Sequence, residues 1–112
     1  MDTRISWATS EMALRLSEPF EVGRLAAAVN LSTSRFSHLF RAETGSSPTR
    51  YMQTLRMTKA RALLESTFLT VKEVMVQVGC NDPSHFARDF RRFHGVPPSQ
   101  IRAMAEASRK LG

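Results

Sequence analysis

The 112-residue sequence contains one two-helix pattern twice, and this internal repeat restricts the possible folds more than any other feature. Apolar positions of the first copy recur 49 residues later, and a longer set of mixed residue types recurs 50 residues later. The apolar set pairs Val22, Leu25 and Val29 with Val71, Val74 and Val78. The mixed set pairs Ser34, Phe36, His38, Phe40, Arg41, Gly45 and Pro48 with Ser84, Phe86, Arg88, Phe90, Arg91, Gly95 and Pro98. Apolar positions could coincide by chance in two amphipathic helix pairs, whereas the glycine, proline, serine and arginine matches indicate a duplication.

The first copy carries the start and stop signals of two short helices. A predicted helix over 22–29 is followed by Asn30, which tolerates the left-handed backbone conformation that often ends a helix. Ser32 can cap a second helix over 33–44, because its side-chain oxygen accepts a hydrogen bond from an otherwise unpaired amide. Gly45 ends that helix. A helix, a short turn and a capped second helix make the helix-turn-helix pattern.

The second copy repeats these signals with different residues. Thr70 and Glu73 have the spacing of a capping box, and Gly79 takes the place of Asn30. Asp82 precedes Pro83, a residue favoured at the first position of a helix. In each copy the second helix is predicted to bury three large apolar side chains and to keep its polar residues outside. These buried residues are predicted to be Phe36, Leu39 and Phe40 in the first copy and Phe86, Phe90 and Phe93 in the second.

A long helical stretch over 49–67 separates the two copies. Ser47 and Pro48 start it, and the β-branched run after Ser66 ends it. A helix over 5–17 precedes the first copy, and a short helix from Pro98 follows the second. We therefore predict an all-α fold of about seven helices, with helix-turn-helix subdomains over 1–47 and 68–112 joined by a linker helix over 48–67.

Positive charge occurs in two blocks, although the formal net charge is only +6. Residues 32–61 carry six basic side chains and one acidic one, and residues 84–102 carry four basic and one acidic. Acidic side chains outnumber basic ones in residues 1–31 and 62–83. Two basic blocks predict two contact surfaces for a polyanion. The alternative is a basic surface that only meets solvent.

Several other protein classes are excluded by the sequence. No apolar run approaches the roughly 20 residues that span a membrane, and residues 1–7 lack the apolar core of a secretory signal, so a cytoplasmic protein is expected. The three histidines lie on separate segments without a cysteine partner, so neither a metal site nor a cofactor is predicted. No nucleophile–base pair, glycine-rich phosphate loop or carboxylate cluster indicates catalysis, so an enzyme is not expected.

Two segments of the sequence, LSTSRFSHLFRAETGSSPTRYMQTLRMTKARALL and VKEVMVQVGCNDPSHFARDFRRFHGVPPSQIR, carry several motifs in a fixed order. A glycine and, three positions later, a proline follow each second helix, and a phenylalanine pair surrounds an outward Arg88. The linker contains Arg56, Ala60, Leu63 and Leu64 in the pattern R-x-x-x-A-x-x-L-L. Over residues 5–102 the chain resembles the DNA-binding domain of the AraC/XylS family. The resemblance implies a bacterial transcription regulator of the activator type.

The resemblance also implies which residues contact DNA. The recognition helices, about 33–44 and 83–93, would enter successive segments of the major groove. Base-contacting positions fall on Ser34, Ser37, His38, Ser84, His85 and Arg88, and phosphate-contacting positions on Arg35, Arg41, Arg50, Arg91 and Arg92. Arg88 is predicted to read a base because a guanidinium can bond guanine O6 and N7 together. The alternatives for Arg88 are a phosphate contact and an ion pair with Asp89.

Three residues of the second copy depart from the family pattern. Met75 stands where the family has a small alanine, and where the first copy has Ala26. Cys80 replaces a turn phenylalanine and is predicted to be a buried, inert thiol rather than a redox switch. Pro97 replaces a capping serine or threonine. Met75 and Cys80 fall in the predicted core, so the deviation is expected in packing rather than in the DNA-facing surface.

Double-stranded promoter DNA is the predicted partner, and the bacterial nucleoid the predicted location. The linker of about 19 residues would be roughly 28 Å long, close to the ~34 Å between successive major-groove faces on one side of DNA. The resemblance adds two further partners, RNA polymerase and an N-terminal effector-binding or dimerisation domain, and favours an excised domain over a stand-alone regulator. The alternative function is a protein-interaction module that docks RNA polymerase or a partner domain.

Overall fold

A computed structural model describes residues 1–111 and confirms the all-α prediction. These residues form seven α-helices and no strand. The helices are α1 (Thr3–Leu14), α2 (Val22–Ala28), α3 (Thr33–Thr44), α4 (Pro48–Ser66), α5 (Val71–Gln77), α6 (Pro83–His94) and α7 (Pro98–Leu111). Gly112, the last residue of the predicted second subdomain, lies outside the described residues. None of the seven helices is both long enough and apolar enough to cross a membrane.

The chain divides into two compact units within α4, the first being Met1–Leu55 and the second beginning at Arg56. The first core is built from α1, α2, α3 and the first half of α4. Its buried residues are Ile5, Ala8, Met12, Ala26, Phe36, Phe40 and Met52. The ring of Phe40 meets Tyr51 of α4 edge to face, with 5.2 Å between the ring centroids. This contact fixes the recognition-helix candidate α3 against α4.

The second unit has its own core, made by the second half of α4 together with α5, α6 and α7. Its buried residues are Met57, Ala60, Leu64, Val74, Met75, Val78, Phe86, Phe90 and Ile101. Met75 is 5 % exposed, so the larger side chain that replaces alanine is accommodated in this core. Each half of α4 therefore contributes to one core.

The helix ends follow the signals in the sequence. Ser32 Oγ accepts a hydrogen bond from Arg35 N (3.2 Å), and Thr70 and Glu73 form both hydrogen bonds of a capping box. Gly45 and Gly95 end α3 and α6 with φ values of 81° and 82°, a conformation that glycine adopts without a steric penalty. The helices begin with the same offsets as the repeat in the sequence. The α5 helix begins 49 residues after α2, and the α6 helix begins 50 residues after α3.

Three predictions about the helices were wrong in detail. The first helix ends at Leu14 rather than residue 17, and α7 continues to Leu111 instead of ending after a few residues. Phe93 is 45 % exposed, although it was predicted to be buried. His94 packs against the core instead of Phe93, and its ring centroid lies 4.5 Å from that of Phe90.

Candidate nucleic-acid interface

The polar residues that were predicted to contact DNA from the first copy lie on one face of α3. Ser34, His38 and Arg41 are exposed, and Ser37 is half-buried. Spacings of three, four and seven residues place these side chains on the same side of a helix. Arg35 is also exposed, one position along from Ser34. The structure therefore brings the predicted residues of α3 together, on the side away from its two buried phenylalanines.

The corresponding face of α6 is more strongly basic. The five predicted contact residues of this helix are all exposed: Ser84, His85, Arg88, Arg91 and Arg92. The three arginines line an open groove of about 500 Å³, whose remaining walls are Ala87 and Pro97. Three guanidinium groups on one groove provide a surface for a polyanion such as a phosphate backbone.

The arginines assigned to DNA form no ion pair within the described part of the chain. Five ion pairs join residues no more than four positions apart in the sequence. They are Asp2–Arg4, Glu11–Arg15, Glu18–Arg15, Glu21–Arg24 and Glu65–Arg61. The predicted contacts Arg35, Arg41, Arg50, Arg88, Arg91 and Arg92 are in none of them. These guanidinium groups are available to an external anion, and the alternative of an Arg88–Asp89 ion pair is not observed.

An aspartate sits at the start of α6, beside this basic surface. Asp82 Oδ1 accepts hydrogen bonds from His85 N (3.1 Å) and Ser84 N (2.9 Å). The bond from the His85 amide is the largest factor that lowers the pKa of Asp82, and the nearby charge of Arg88 lowers it further. The carboxylate is therefore held in its ionised form as the cap of α6. It fixes the first turn of the helix, where Ser84 and His85 are located.

His94 holds the other end of α6, a role that was not predicted from the sequence. Its Nε2 lies 2.9 Å from the carbonyl oxygen of Met57 in α4. A carbonyl can only accept a hydrogen bond, so Nε2 carries the proton in this contact. In the first unit, Thr44 occupies the equivalent position, and its Oγ1 donates to the carbonyl of Phe40 instead (2.8 Å). The two units thus anchor the ends of α3 and α6 differently.

The helices that follow α3 and α6 also begin differently. Arg50, a predicted phosphate contact, is exposed in the first turn of α4, where its amide donates to Ser47 Oγ (3.2 Å). Pro97 stands in place of Ser47 in the second unit and has no side-chain acceptor. Its carbonyl accepts from Gln100 N (3.1 Å) at the start of α7. The departure at Pro97 therefore removes a side-chain cap from α7.

Cys80 is half-buried against the second core. Burial raises the pKa of its thiol, an effect that the positive charge of Arg56 partly offsets. A raised pKa disfavours the thiolate, which is the reactive form of cysteine. Across residues 1–111, no group of three or more histidine, cysteine, aspartate or glutamate side chains is arranged to hold a metal ion.

Comparisons with known proteins identify the class to which this arrangement belongs. A family model described as a helix-turn-helix domain matches residues 25–104. The arabinose operon regulatory protein of Escherichia coli K12 is 35% identical over 107 residues, which are 95% of this chain and 37% of that protein. The transcriptional regulator GbdR of Pseudomonas aeruginosa PAO1 is 35% identical over 91 residues, which are 81% of this chain and 25% of that protein.

Solved structures agree with the sequence comparison. The DNA-binding domain of the transcriptional factor AdpA, determined in complex with a target DNA, matches with a TM-score of 0.91 and 32% identity, over 99% of this chain and 100% of that one. The C-terminal domain of the response regulator AraT from Geobacillus stearothermophilus matches with a TM-score of 0.87 and 27% identity, over 92% and 86% of the two chains. The fold is that of a double helix-turn-helix domain. The chain belongs to the AraC-type helix-turn-helix family.

Proposed function

We propose that this chain binds double-stranded DNA sequence-specifically, as the DNA-binding domain of a bacterial transcription regulator. The recognition helices α3 and α6 enter successive segments of the major groove. The observation that carries the proposal is the unpaired arginine surface on the outer face of α6, where Arg88, Arg91 and Arg92 line one groove. The similarity to the DNA-binding domain of AdpA, over 99% of this chain and 100% of that one, supports it.

The contact residues divide into two groups by the part of the duplex that they bind. Base edges are read by Ser34, Ser37, His38, Ser84, His85 and Arg88, and phosphates are bound by Arg35, Arg41, Arg50, Arg91 and Arg92. Phosphate contacts fix the position of the protein on the duplex, and base contacts provide the specificity. The small serines leave room for each helix to approach the floor of the groove.

Further partners are proposed from the family resemblance and from the fact that the chain spans only part of the length of its relatives. The chain spans 37% of the length of the Escherichia coli arabinose regulator. RNA polymerase and an effector-binding or dimerisation domain are proposed as further partners on the basis of the AraC/XylS resemblance. We also propose an activator role, a location in the cytoplasm on the nucleoid, and the subdomain limits 1–47, 48–67 and 68–112. The proposed function includes no catalysis.

Replacing Arg88 with alanine is expected to relax selectivity at one base position by about 1–3 kcal/mol, since a bidentate contact to guanine is lost. The binding site is first defined by selecting bound duplexes from random DNA with the unaltered protein. Affinities are then measured for that site and for each single-base variant of it. Arg91→Ala is the matched control, because it removes the same charge from the same helix.

The Arg91→Ala protein should bind all site variants more weakly by a similar factor. An unchanged base preference in the Arg88→Ala protein would show that Arg88 contacts phosphate. A failure of the unaltered protein to select any sequence would contradict the proposed function itself.

Arg41→Ala is expected to weaken binding evenly across sequences and to reduce the slope of log affinity against log salt by about one. The reason is that a phosphate contact displaces counterions from the duplex. Fluorescence anisotropy at several salt concentrations measures this slope. Arg24→Ala serves as the control, because Arg24 belongs to the same unit but is paired with Glu21 (3.0 Å). Equal slopes for the Arg41→Ala protein and the unaltered protein would contradict the assignment.

A further inference from the structure

The second unit contains an apolar groove that the proposed DNA contacts do not use. It lies where α5, α6 and α7 begin, and its volume of about 440 Å³ falls within the range of small-molecule sites. Val71 and Met75 of α5, Phe86 of α6, and the prolines Pro97 and Pro98 provide its apolar walls. Such a combination of size and apolar lining suits the hydrocarbon part of a ligand.

One charged residue, Lys72, lines this groove. It is exposed and forms no ion pair or hydrogen bond with any other residue between positions 1 and 111. Ser99 is the other polar residue of the lining. A few polar groups in an apolar pocket fix the orientation of a ligand. An unpaired ammonium group favours a ligand with one negative charge.

The internal repeat provides a comparison for this groove. Four lining residues replace smaller or more polar residues at the matching positions of the first unit. Ordered along the chain, Lys72 replaces Gly23, Met75 replaces Ala26, Ala87 replaces Ser37, and Pro97 replaces Ser47. Two of the three departures from the family pattern, Met75 and Pro97, are among them. At these four positions the second unit therefore has a cation and three apolar side chains, whereas the first unit has glycine, alanine and two serines.

We propose that this groove binds an apolar carboxylate, with its hydrocarbon part against Met75 and Phe86 and its carboxylate at Lys72. The lining favours such a small molecule over nucleic acid, because it contains a single cation and no arginine. By contrast, the neighbouring groove of about 500 Å³ contains three arginines and suits a phosphate backbone. The two grooves share Ala87 and Pro97, so they adjoin each other along α6.

Octanoate is a suitable probe, because it is soluble as a monomer and combines an eight-carbon chain with one carboxylate. Binding to the full chain in the absence of DNA is measured by NMR titration, using the methyl group of Met75 and the backbone amides of Lys72 and Ala87. We expect saturable binding at one site. Hexanoate, which lacks two methylenes, should bind roughly tenfold more weakly if the chain is buried in the groove.

Lys72→Gln tests the carboxylate contact. This substitution is expected to weaken octanoate binding roughly fivefold and to leave the binding of 1-octanol unchanged. Lys59→Gln is the matched control, since Lys59 is an exposed lysine of the same unit that does not line the groove. Pro97→Ser introduces the residue that the first unit has at Ser47, and it should weaken both ligands by making one wall polar.

Three results would overturn the proposal. The first is a linear titration that also shifts exposed apolar residues elsewhere, such as Trp7 and Phe93, since this indicates non-specific association. The second is equal octanoate affinity in the Lys72→Gln and Lys59→Gln proteins. The third combines two observations. The unaltered protein binds DNA but not octanoate, and the slope of log DNA affinity against log salt is smaller for the Lys72→Gln protein. That third result would identify the groove as a part of the DNA contact, and the proposed function would stand.

Discussion

Replacing Phe90 with alanine is expected to destabilise the second unit by about 3–5 kcal/mol, the usual cost of removing a large aromatic side chain from a core. Phe90 is fully buried, and its ring lies between those of Phe86 (5.9 Å) and His94 (4.5 Å). Because a domain of this size is stable by only about 5–15 kcal/mol, the loss would leave much of the second unit unfolded near physiological temperature. Urea unfolding followed by circular dichroism measures the change.

Phe93→Ala provides a matched control on the same helix. Phe93 is 45 % exposed, so its removal should change the free energy of unfolding by less than about 1 kcal/mol. NMR signals assigned to the first unit should persist in the Phe90→Ala protein, since Phe90 belongs to the second core only. Similar losses in the two variants would mean that the burial of Phe90 does not determine the stability of α6.

Replacing Thr58 with proline is expected to break α4 at its centre, at a cost of about 3 kcal/mol or more. Proline lacks the amide hydrogen that position 58 would donate within the helix, and its ring clashes with the carbonyl four residues earlier, that of Thr54. Thr58 is exposed, so the change removes no core side chain. If α4 fixes the spacing of two DNA readers, as proposed, the variant should lose affinity for a complete site and retain weak binding to half-sites.

Thr58→Ala is the control for this prediction, because alanine removes the same side chain and favours the helix. Affinities of both variants are compared on the complete site and on duplexes that carry only one half of it. Unchanged affinity and selectivity of the Thr58→Pro protein on the complete site would mean that α4 acts as a flexible tether. Circular dichroism would confirm that the units themselves remain helical.

The sequence predicted the helices well because their ends are determined by local chemistry. Ser32, Thr70 and Asp82 cap helices within three residues of themselves, and Gly45 and Gly95 adopt the left-handed conformation at helix ends. Each of these signals lies within a few residues of the bond or turn that it forms. The helix-turn-helix pairs and the all-α class followed from such signals. The faces of α3 and α6 followed from helical periodicity.

The burial of Phe93 was predicted wrongly because periodicity alone cannot choose between it and His94. Both positions lie near the edge of the face defined by Phe86 and Phe90, and hydrophobicity favours phenylalanine. In the structure the half-buried His94 faces the core instead, since its ring nitrogen reaches the carbonyl of Met57, 37 positions away in sequence. The repeat contained the missing information. Fifty residues earlier, the charged Glu43 stands at the position of Phe93 and Thr44 at that of His94, which indicates that the first of the two positions faces solvent.

The length of α7 could not be predicted for a similar reason. Arg102 donates to the carbonyl of Leu69, and Arg109 donates to that of Glu65 (3.0 Å) and stacks on the ring of Phe68 at 4.8 Å. These contacts attach α7 to the end of α4 and the segment after it. Their partners lie more than thirty positions away, beyond the reach of any local pattern. The apolar groove beside Lys72 likewise depends on how the three consecutive helices α5, α6 and α7 pack together, which no single helix pattern predicts.

The residues that form the ion pairs are not the arginines that are proposed to contact DNA, and this affects how the domain responds to salt. Five ion pairs join exposed side chains of near neighbours in the sequence, and such pairs contribute little to folding. The arginines that are proposed to contact DNA are in none of these pairs, and in the proposed function they provide the attraction to the polyanion. Added salt should therefore shorten the time that the domain spends on DNA while its melting temperature hardly changes. Ionic strength would then change the occupancy of a DNA site without a change in the amount of folded protein.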